Sequence, residues 1–151
     1  MGKLGDFFPD EEKQQYADRQ LKPGQVVFIF SGFTNPAKEK YLVIGHLGEK
    51  PLLSVINSSV HPYIQSRPDM LKCQVLLAAS DYGFLDHDSY VDCSQVIDSV
   101  AEAEIRTQVL ADLGRIKGEL NSQARQQIIQ VVRGAKTISE RYKTLIINSL
   151  K

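Results

Sequence analysis

Two stretches of the sequence carry cationic side chains that could act on a phosphate. Lys38, Glu39 and Lys40 stand immediately before an apolar segment of strand length, where two cations could touch phosphate oxygens or shield a developing negative charge. Arg67, in a later polar segment, could approach the same phosphate. A charge run beside a turn is also commonly just solvated. The residue types therefore predict a phosphate contact, with a solvated turn as the alternative.

His61 is the residue best suited to general acid–base chemistry. It follows Ser58 and Ser59 in a polar segment, and only histidine titrates near neutral pH without perturbation. The alternative is a solvent-facing loop histidine that packs its ring on Pro62 or Tyr63. We assign no role to His46.

The triplet Asp86-His87-Asp88 has the right residue types for a metal site. Consecutive residues of a strand point to opposite faces, so only a turn would let the three converge, and a solvated hairpin turn is the competing interpretation. The sequence has no glycine-rich phosphate loop, no Cys-x-x-Cys pair and no histidine pair at helical ligand spacing. We therefore predict no metal and no cofactor.

The charge of the chain is balanced overall but unevenly distributed. Lys and Arg total 18, as do Asp and Glu, so no global field draws the chain to nucleic acid or to acidic membranes. Residues 98–151 hold nine basic and six acidic groups, whereas residues 1–20 hold three and five. Any attraction for phosphate should be local, with the C-terminal third the most electropositive part.

The hydropathy pattern indicates a cytoplasmic protein. No window approaches the roughly 18 apolar residues of a membrane span, and the acidic N-terminus does not fit a signal peptide. Cys73 and Cys93 fall in predicted strands, where two thiols of an intracellular chain are usually buried small hydrophobes rather than a disulfide.

Strands and helices are predicted from periodicity and from turn residues. Residues 10–20 have the composition of a short N-terminal helix, with acidic residues in the first turn. Apolar or alternating runs bounded by Gly, Pro and Asn predict five strands, and two polar segments between them predict long loops. The strands are Val26–Phe30, Tyr41–Ile44, Leu52–Ile56, Gln74–Ala78 and Tyr90–Val96; the loops are 31–40 and 57–69.

After Asp98 the pattern changes to helix. One apolar stripe runs from Ile105 to Ile116, a second helix begins at Ser122 as its cap, and a third begins at Ser139. We predict a single domain that is mainly β with added helices: an N-terminal helical segment (1–20), a small SH3-like β-barrel of about five strands (21–97) and a helical C-terminal part (98–151).

The order of these segments resembles the MazF/PemK (CcdB-like) toxin family. The resemblance covers about residues 22–135 and follows the succession PGQVVFIF, EKYLVIG, LLSVINS, VLLAASDYGFLDHDSYVDCSQVID and GELNSQARQQIIQVV. The best matches are Tyr82-Gly83-Phe84, Asp88-Ser89 and Gln95-Val96.

This resemblance implies an SH3-like barrel with helices, commonly a homodimer, and in many members a metal-independent endoribonuclease that cuts single-stranded RNA. The family uses an Arg at the head of its second strand and a Ser or Thr at the end of its third. Here the Arg position falls on Glu39, between Lys38 and Lys40, and the Ser/Thr position falls near Asn57 and Ser58.

The chain therefore differs from the family pattern in having Glu39 where the family has Arg, and two hypotheses follow. In the first, Lys40, Ser58 and His61 converge on one groove and carry the catalysis, with Lys38, Asn57 and Arg67 contacting the RNA. In the second, the barrel is a non-catalytic module with an apolar groove for a protein partner, either an antitoxin or a gyrase-like target.

Overall fold

A computed structural model describes residues 3, 5–31 and 37–151. Within these residues a six-stranded antiparallel sheet curls into a half-barrel, with the strand order β4-β5-β3-β2-β1-β6. The strands are β1 (Gln25–Ser31), β2 (Lys38–His46), β3 (Leu52–Asn57), β4 (Gln74–Leu77), β5 (Ser89–Asp92) and β6 (Ile116–Glu119).

Helices lie on both faces of this sheet. In the described part of the chain they are α1 (Asp10–Gln20), α2 (Pro62–Gln65), α3 (Pro68–Leu71), α4 (Glu102–Ala111), α5 (Ser122–Gly134) and α6 (Glu140–Leu150). None of them is long and apolar enough to cross a membrane.

Alternation along the strands builds two separate cores. Val26 and Val43 point into one cluster with residues of α5 and α6, such as Ile128 and Ile146, and this side is called the α5/α6 face. The residues next to them in the strands, Val27 and Leu42 among them, point into a second cluster with residues of α1 and α4, and this side is called the α1/α4 face. The central strands are thus buried on both sides, which explains their nearly continuous apolar sequence.

The predicted N-terminal helix and the five predicted strands are present, with shifted ends. The described sheet has one strand more than the five predicted, because Ile116–Glu119 pairs with β1. The apolar stripe from Ile105 was expected to continue as helix through Ile116, but α4 ends at Ala111 and a 3₁₀ turn over Leu113–Arg115 leads into β6. A β-rich fold with helices is therefore confirmed at this coarser level.

Three local expectations also need correction. Loop 57–69 contains the short helix α2 and the start of α3, each with a proline in its first turn, where the missing N–H costs nothing. Helix α5 is capped by Asn121, whose side chain accepts from the Ala124 N–H, and not by Ser122. The last predicted strand ends at Asp92. Of the predicted loop 31–40, residues 32–36 lie outside the described residues, whereas Ser31 ends β1 and β2 already begins at Lys38.

Candidate functional site

Lys40 and Asn57 meet at one end of the sheet, on neighbouring strands. Lys40 Nζ donates to Asn57 Oδ1 at 3.0 Å. The β2–β3 register places Tyr41 opposite Ile56, so Lys40 and Asn57 are the next residues out along the ladder, and both point to the α1/α4 face. The predicted catalytic cation, Lys40, and the amide predicted to contact RNA, Asn57, are therefore in direct contact.

The surroundings of Lys40 disfavour its charged form. Partial burial lowers the pKa of its ammonium, and the nearby charge of Lys38 lowers that pKa further. A larger fraction of neutral amine is then present at any pH below the ordinary lysine value. Such an amine is a better proton acceptor near neutral pH than a solvated lysine is.

Ser58 and His61 lie in the segment after β3, and their surroundings differ from those of Lys40 and Asn57. Both are exposed, and His61 caps α2, with Nδ1 accepting from the Tyr63 N–H at 3.0 Å. Neither side chain hydrogen-bonds to Lys40 within the described residues. His61 thus keeps its ring oriented by Nδ1, while Nε2 has no hydrogen-bond partner among the described residues.

Arg67 is held within its own loop. Its guanidinium lies 3.4 Å from the centroid of the Tyr63 ring, and Nη1 donates to Tyr63 O at 2.9 Å and to Ser66 Oγ at 3.1 Å. The remaining donors stay available on an exposed residue. The stacked pair forms a flat cationic surface where α2 meets α3, a type of surface on which nucleic-acid bases stack.

Sequence reasoning missed Arg115 as a residue of this region. The Arg115 side chain, 19 % exposed, donates from Nη2 to Glu39 Oε1 at 2.9 Å and from Nη1 to Phe28 O at 2.9 Å. Glu39 points to the α5/α6 face, opposite to Lys40, so this pair and the Lys40–Asn57 pair flank the head of β2 from both sides. The cation excess of residues 98–151 is the signal that could have indicated such a residue.

An aromatic cluster lies beside the Arg115–Glu39 pair. The Phe28 and Tyr41 rings have centroids 4.5 Å apart, and Tyr41 and Phe84 are 5.5 Å apart. Lys117 Nζ stands 5.7 Å from the centroid of Phe28. Burial raises the pKa of Tyr41, and the charge of Asp86 adds to that increase. The head of β2 therefore combines cations with aromatic surface.

The Asp86-His87-Asp88 segment is a turn whose side chains are exposed. Asp88 Oδ1 accepts from the Ala79 N–H at 2.8 Å, and the His87 carbonyl accepts from Ser89 Oγ at 3.0 Å. Among the residues that the structure describes, no group of three His, Cys, Asp or Glu could hold a metal ion. The triplet closes the connection between β4 and β5.

Comparisons with known proteins give no family assignment: no protein-family model and no curated protein matches the chain.

Proposed function

We propose that this protein binds single-stranded RNA at the head of β2 and the end of β3, and that it cleaves the strand as a metal-independent endoribonuclease of the MazF/PemK type on an SH3-like barrel. The contact between Lys40 and Asn57 carries the proposal, because it joins a cation with a lowered pKa to an amide at the position that the resemblance indicates.

The reaction needs two proton transfers and charge stabilisation. The ribose 2′-oxygen forms a bond to the adjacent phosphorus while the bond from phosphorus to the 5′-oxygen breaks. The neutral amine of Lys40 takes the 2′-hydroxyl proton, and Asn57 orients the strand. A water molecule relays the proton from Lys40 to the leaving 5′-oxygen, to which Ser58 Oγ–H and His61 Nε2–H donate hydrogen bonds.

The electrostatics of the β2 head support phosphate binding. Glu39 alone would repel phosphate, but the Arg115 guanidinium at 2.9 Å neutralises it. Lys38, Lys40 and Lys117 also carry positive charge in that part of the described structure, and Arg67 lies next to α2. The resemblance also supports a homodimer and an antitoxin protein as partners.

RNA binding can be tested by fluorescence anisotropy with a labelled single-stranded RNA over a series of salt concentrations. Wild-type protein should bind, and affinity should fall as salt rises because phosphate contacts release counterions. Lys40→Met should weaken binding and lower the salt slope by at most about one, because only the ammonium fraction of Lys40 contacts phosphate. Lys151→Met, at an exposed lysine of the C-terminus, is the matched control and should bind as the wild type does.

Equal binding by Lys40→Met and Lys151→Met would contradict the assigned site. Absence of RNA binding by wild-type protein would contradict the proposal and favour the non-catalytic module with a protein partner.

A further inference from the structure

A cavity of about 190 Å³ lies between α6 and the turn that joins β2 to β3, and the residues assigned to RNA line no part of it. Leu52, 1 % exposed, and the half-buried Leu145 supply apolar surface. The polar side chains lining it include Glu49, Lys50, Arg141 and Tyr142. A site of this size suits a molecule smaller than a drug-sized ligand.

Part of the charge around this cavity is already compensated. Tyr142 Oη donates to Asp98 Oδ2 at 2.6 Å, and Lys50 Nζ lies 3.7 Å from the same oxygen. The hydrogen bond from Tyr142 is the main cause that lowers the pKa of Asp98, and a separate hydrogen bond between Lys50 and Tyr142 is the main cause that raises the pKa of Lys50. Lys50 and Tyr142 line the cavity, and Asp98, which is not among the lining residues, balances the charge of Lys50.

Arg141 and Glu49 are the uncompensated charges of the cavity. Both are exposed, and neither has an ion pair or a side-chain hydrogen bond within the part of the chain that the structure describes. Two opposite charges that line one cavity without pairing are complementary to a ligand carrying both charges. The guanidinium suits a carboxylate, which it can bind through two parallel hydrogen bonds, and the carboxylate of Glu49 suits an ammonium.

His46 forms a fixed wall beside these charges. Its Nδ1 lies 2.7 Å from Ser149 Oγ on α6, which sets the ring plane. A Cβ placed on Gly48 would lie 2.6 Å from His46 Nε2, so a larger residue at this position of the turn would require the ring to shift. The ring links the turn to α6, and the cavity has a defined shape on that side.

From these contacts we propose that the cavity binds a small zwitterion of the α-amino acid class, with its carboxylate on Arg141, its ammonium on Glu49 and an aliphatic side chain on Leu52 and Leu145. The exposed charges are screened by solvent, so the affinity is weak, with a dissociation constant in the millimolar range.

Amide chemical shifts of the full-length protein provide the test. The probe is L-leucine, and its two single-charge analogues are L-leucinamide, which keeps the ammonium, and 4-methylpentanoate, which keeps the carboxylate. Leucine should shift amides of residues 46–50, 52 and 141–149 saturably, and each analogue should bind about tenfold more weakly, a difference of about 1.4 kcal/mol.

Substitutions should separate the two charges. Arg141→Ala should weaken leucine and 4-methylpentanoate but leave leucinamide unchanged, whereas Glu49→Gln should weaken leucine and leucinamide but leave 4-methylpentanoate unchanged. The matched controls are Arg133→Ala on α5 and Glu104→Gln on α4, both exposed and outside the cavity.

Three results would overturn the proposal: no saturable shift with leucine, equal binding of all three compounds, or an equal loss of binding in the control variants. Because these shifts are measured without RNA, the outcome is independent of the proposed ribonuclease activity.

Discussion

Arg115 Nη2 lies 2.9 Å from Glu39 Oε1, so that the carboxylate at the head of β2 is paired with a guanidinium from the segment preceding β6. The two residues are 76 positions apart in sequence. Their pairing converts a site of negative charge into a neutral one that still offers guanidinium donors. In the proposed function, this pairing offsets the repulsion that Glu39 would exert on phosphate.

Substitutions of Glu39 and of Arg115 should change RNA affinity in opposite directions. Glu39→Gln removes a negative charge and should strengthen RNA binding severalfold. Arg115→Ala leaves both Glu39 and the Phe28 carbonyl without their donor, and should lower the free energy of unfolding by about 1–2 kcal/mol while weakening RNA binding. Anisotropy titrations and urea unfolding measure both effects.

The matched control for Glu39→Gln is Glu119→Gln, at a carboxylate of β6 that pairs with Lys22. It should leave RNA affinity unchanged. A loss of affinity in Glu39→Gln would contradict the electrostatic account of the β2 head.

Gln108 protects the part of β1 that β6 does not cover. The described β6 ladder extends only from Gln25 to Val27. Beyond it, the Gln108 amide accepts from the Phe30 N–H and donates to the Phe30 carbonyl, each at 2.8 Å. One side chain thus forms the two hydrogen bonds that a neighbouring strand would form, which protects the edge against pairing with another chain.

Gln108→Ala should therefore lower the free energy of unfolding by about 1–3 kcal/mol, because two backbone groups lose their partner, and should increase self-association. Urea unfolding and analytical ultracentrifugation measure the two effects. Gln127→Ala, at an exposed glutamine of α5, should change neither. Unchanged stability of Gln108→Ala would show that water replaces the amide without cost.

The two cysteines should be unreactive in the folded protein. Both are unbonded and buried, as predicted, and burial raises the pKa of each thiol. Because the thiolate is the reactive form, a disulfide-exchange reagent at mildly alkaline pH should label neither residue rapidly, and should label both in denaturant. Rapid labelling of the native protein would contradict the described packing.

Because the pKa of Lys40 is lowered, the stability of the folded protein should depend on pH in a defined direction. The unfolded chain holds the Lys40 proton to higher pH than the folded chain does, so the contribution of this residue to stability rises with pH. Lys40→Met removes this dependence. The melting temperature of wild type relative to Lys40→Met should therefore increase from neutral to moderately alkaline pH, and a decrease would contradict the environment described for Lys40.

Much of the fold could be predicted because local patterns determine it. The acidic first turn marks α1, and the apolar runs of β1 to β3 are explained by burial on both faces. Strand β6 escaped prediction because Ile116 continues the helical spacing from Ile105, while pairing with β1 depends on residues about 90 positions away. Tertiary pairing overrode the local period there.

The candidate site was predictable only in part for the same reason. Lys40 and Asn57 stand at the ends of adjacent antiparallel strands, so a sequence pattern can place them together. No local pattern connects Arg115 to Glu39, because their contact depends on the unpredicted strand. The positions of His61 and Arg67 depend on α2, which arises where two prolines had suggested irregular loop.

Cleavage of a defined single-stranded RNA in the presence of a chelator tests the proposed function most directly. Purified wild-type protein should cut the strand and leave 2′,3′-cyclic phosphate ends, since the 2′-oxygen is the nucleophile. Lys40→Met should abolish cleavage, and Lys151→Met should retain it. RNA left intact by the wild type, or cut equally well by Lys40→Met, would contradict the assignment of this site as a ribonuclease centre.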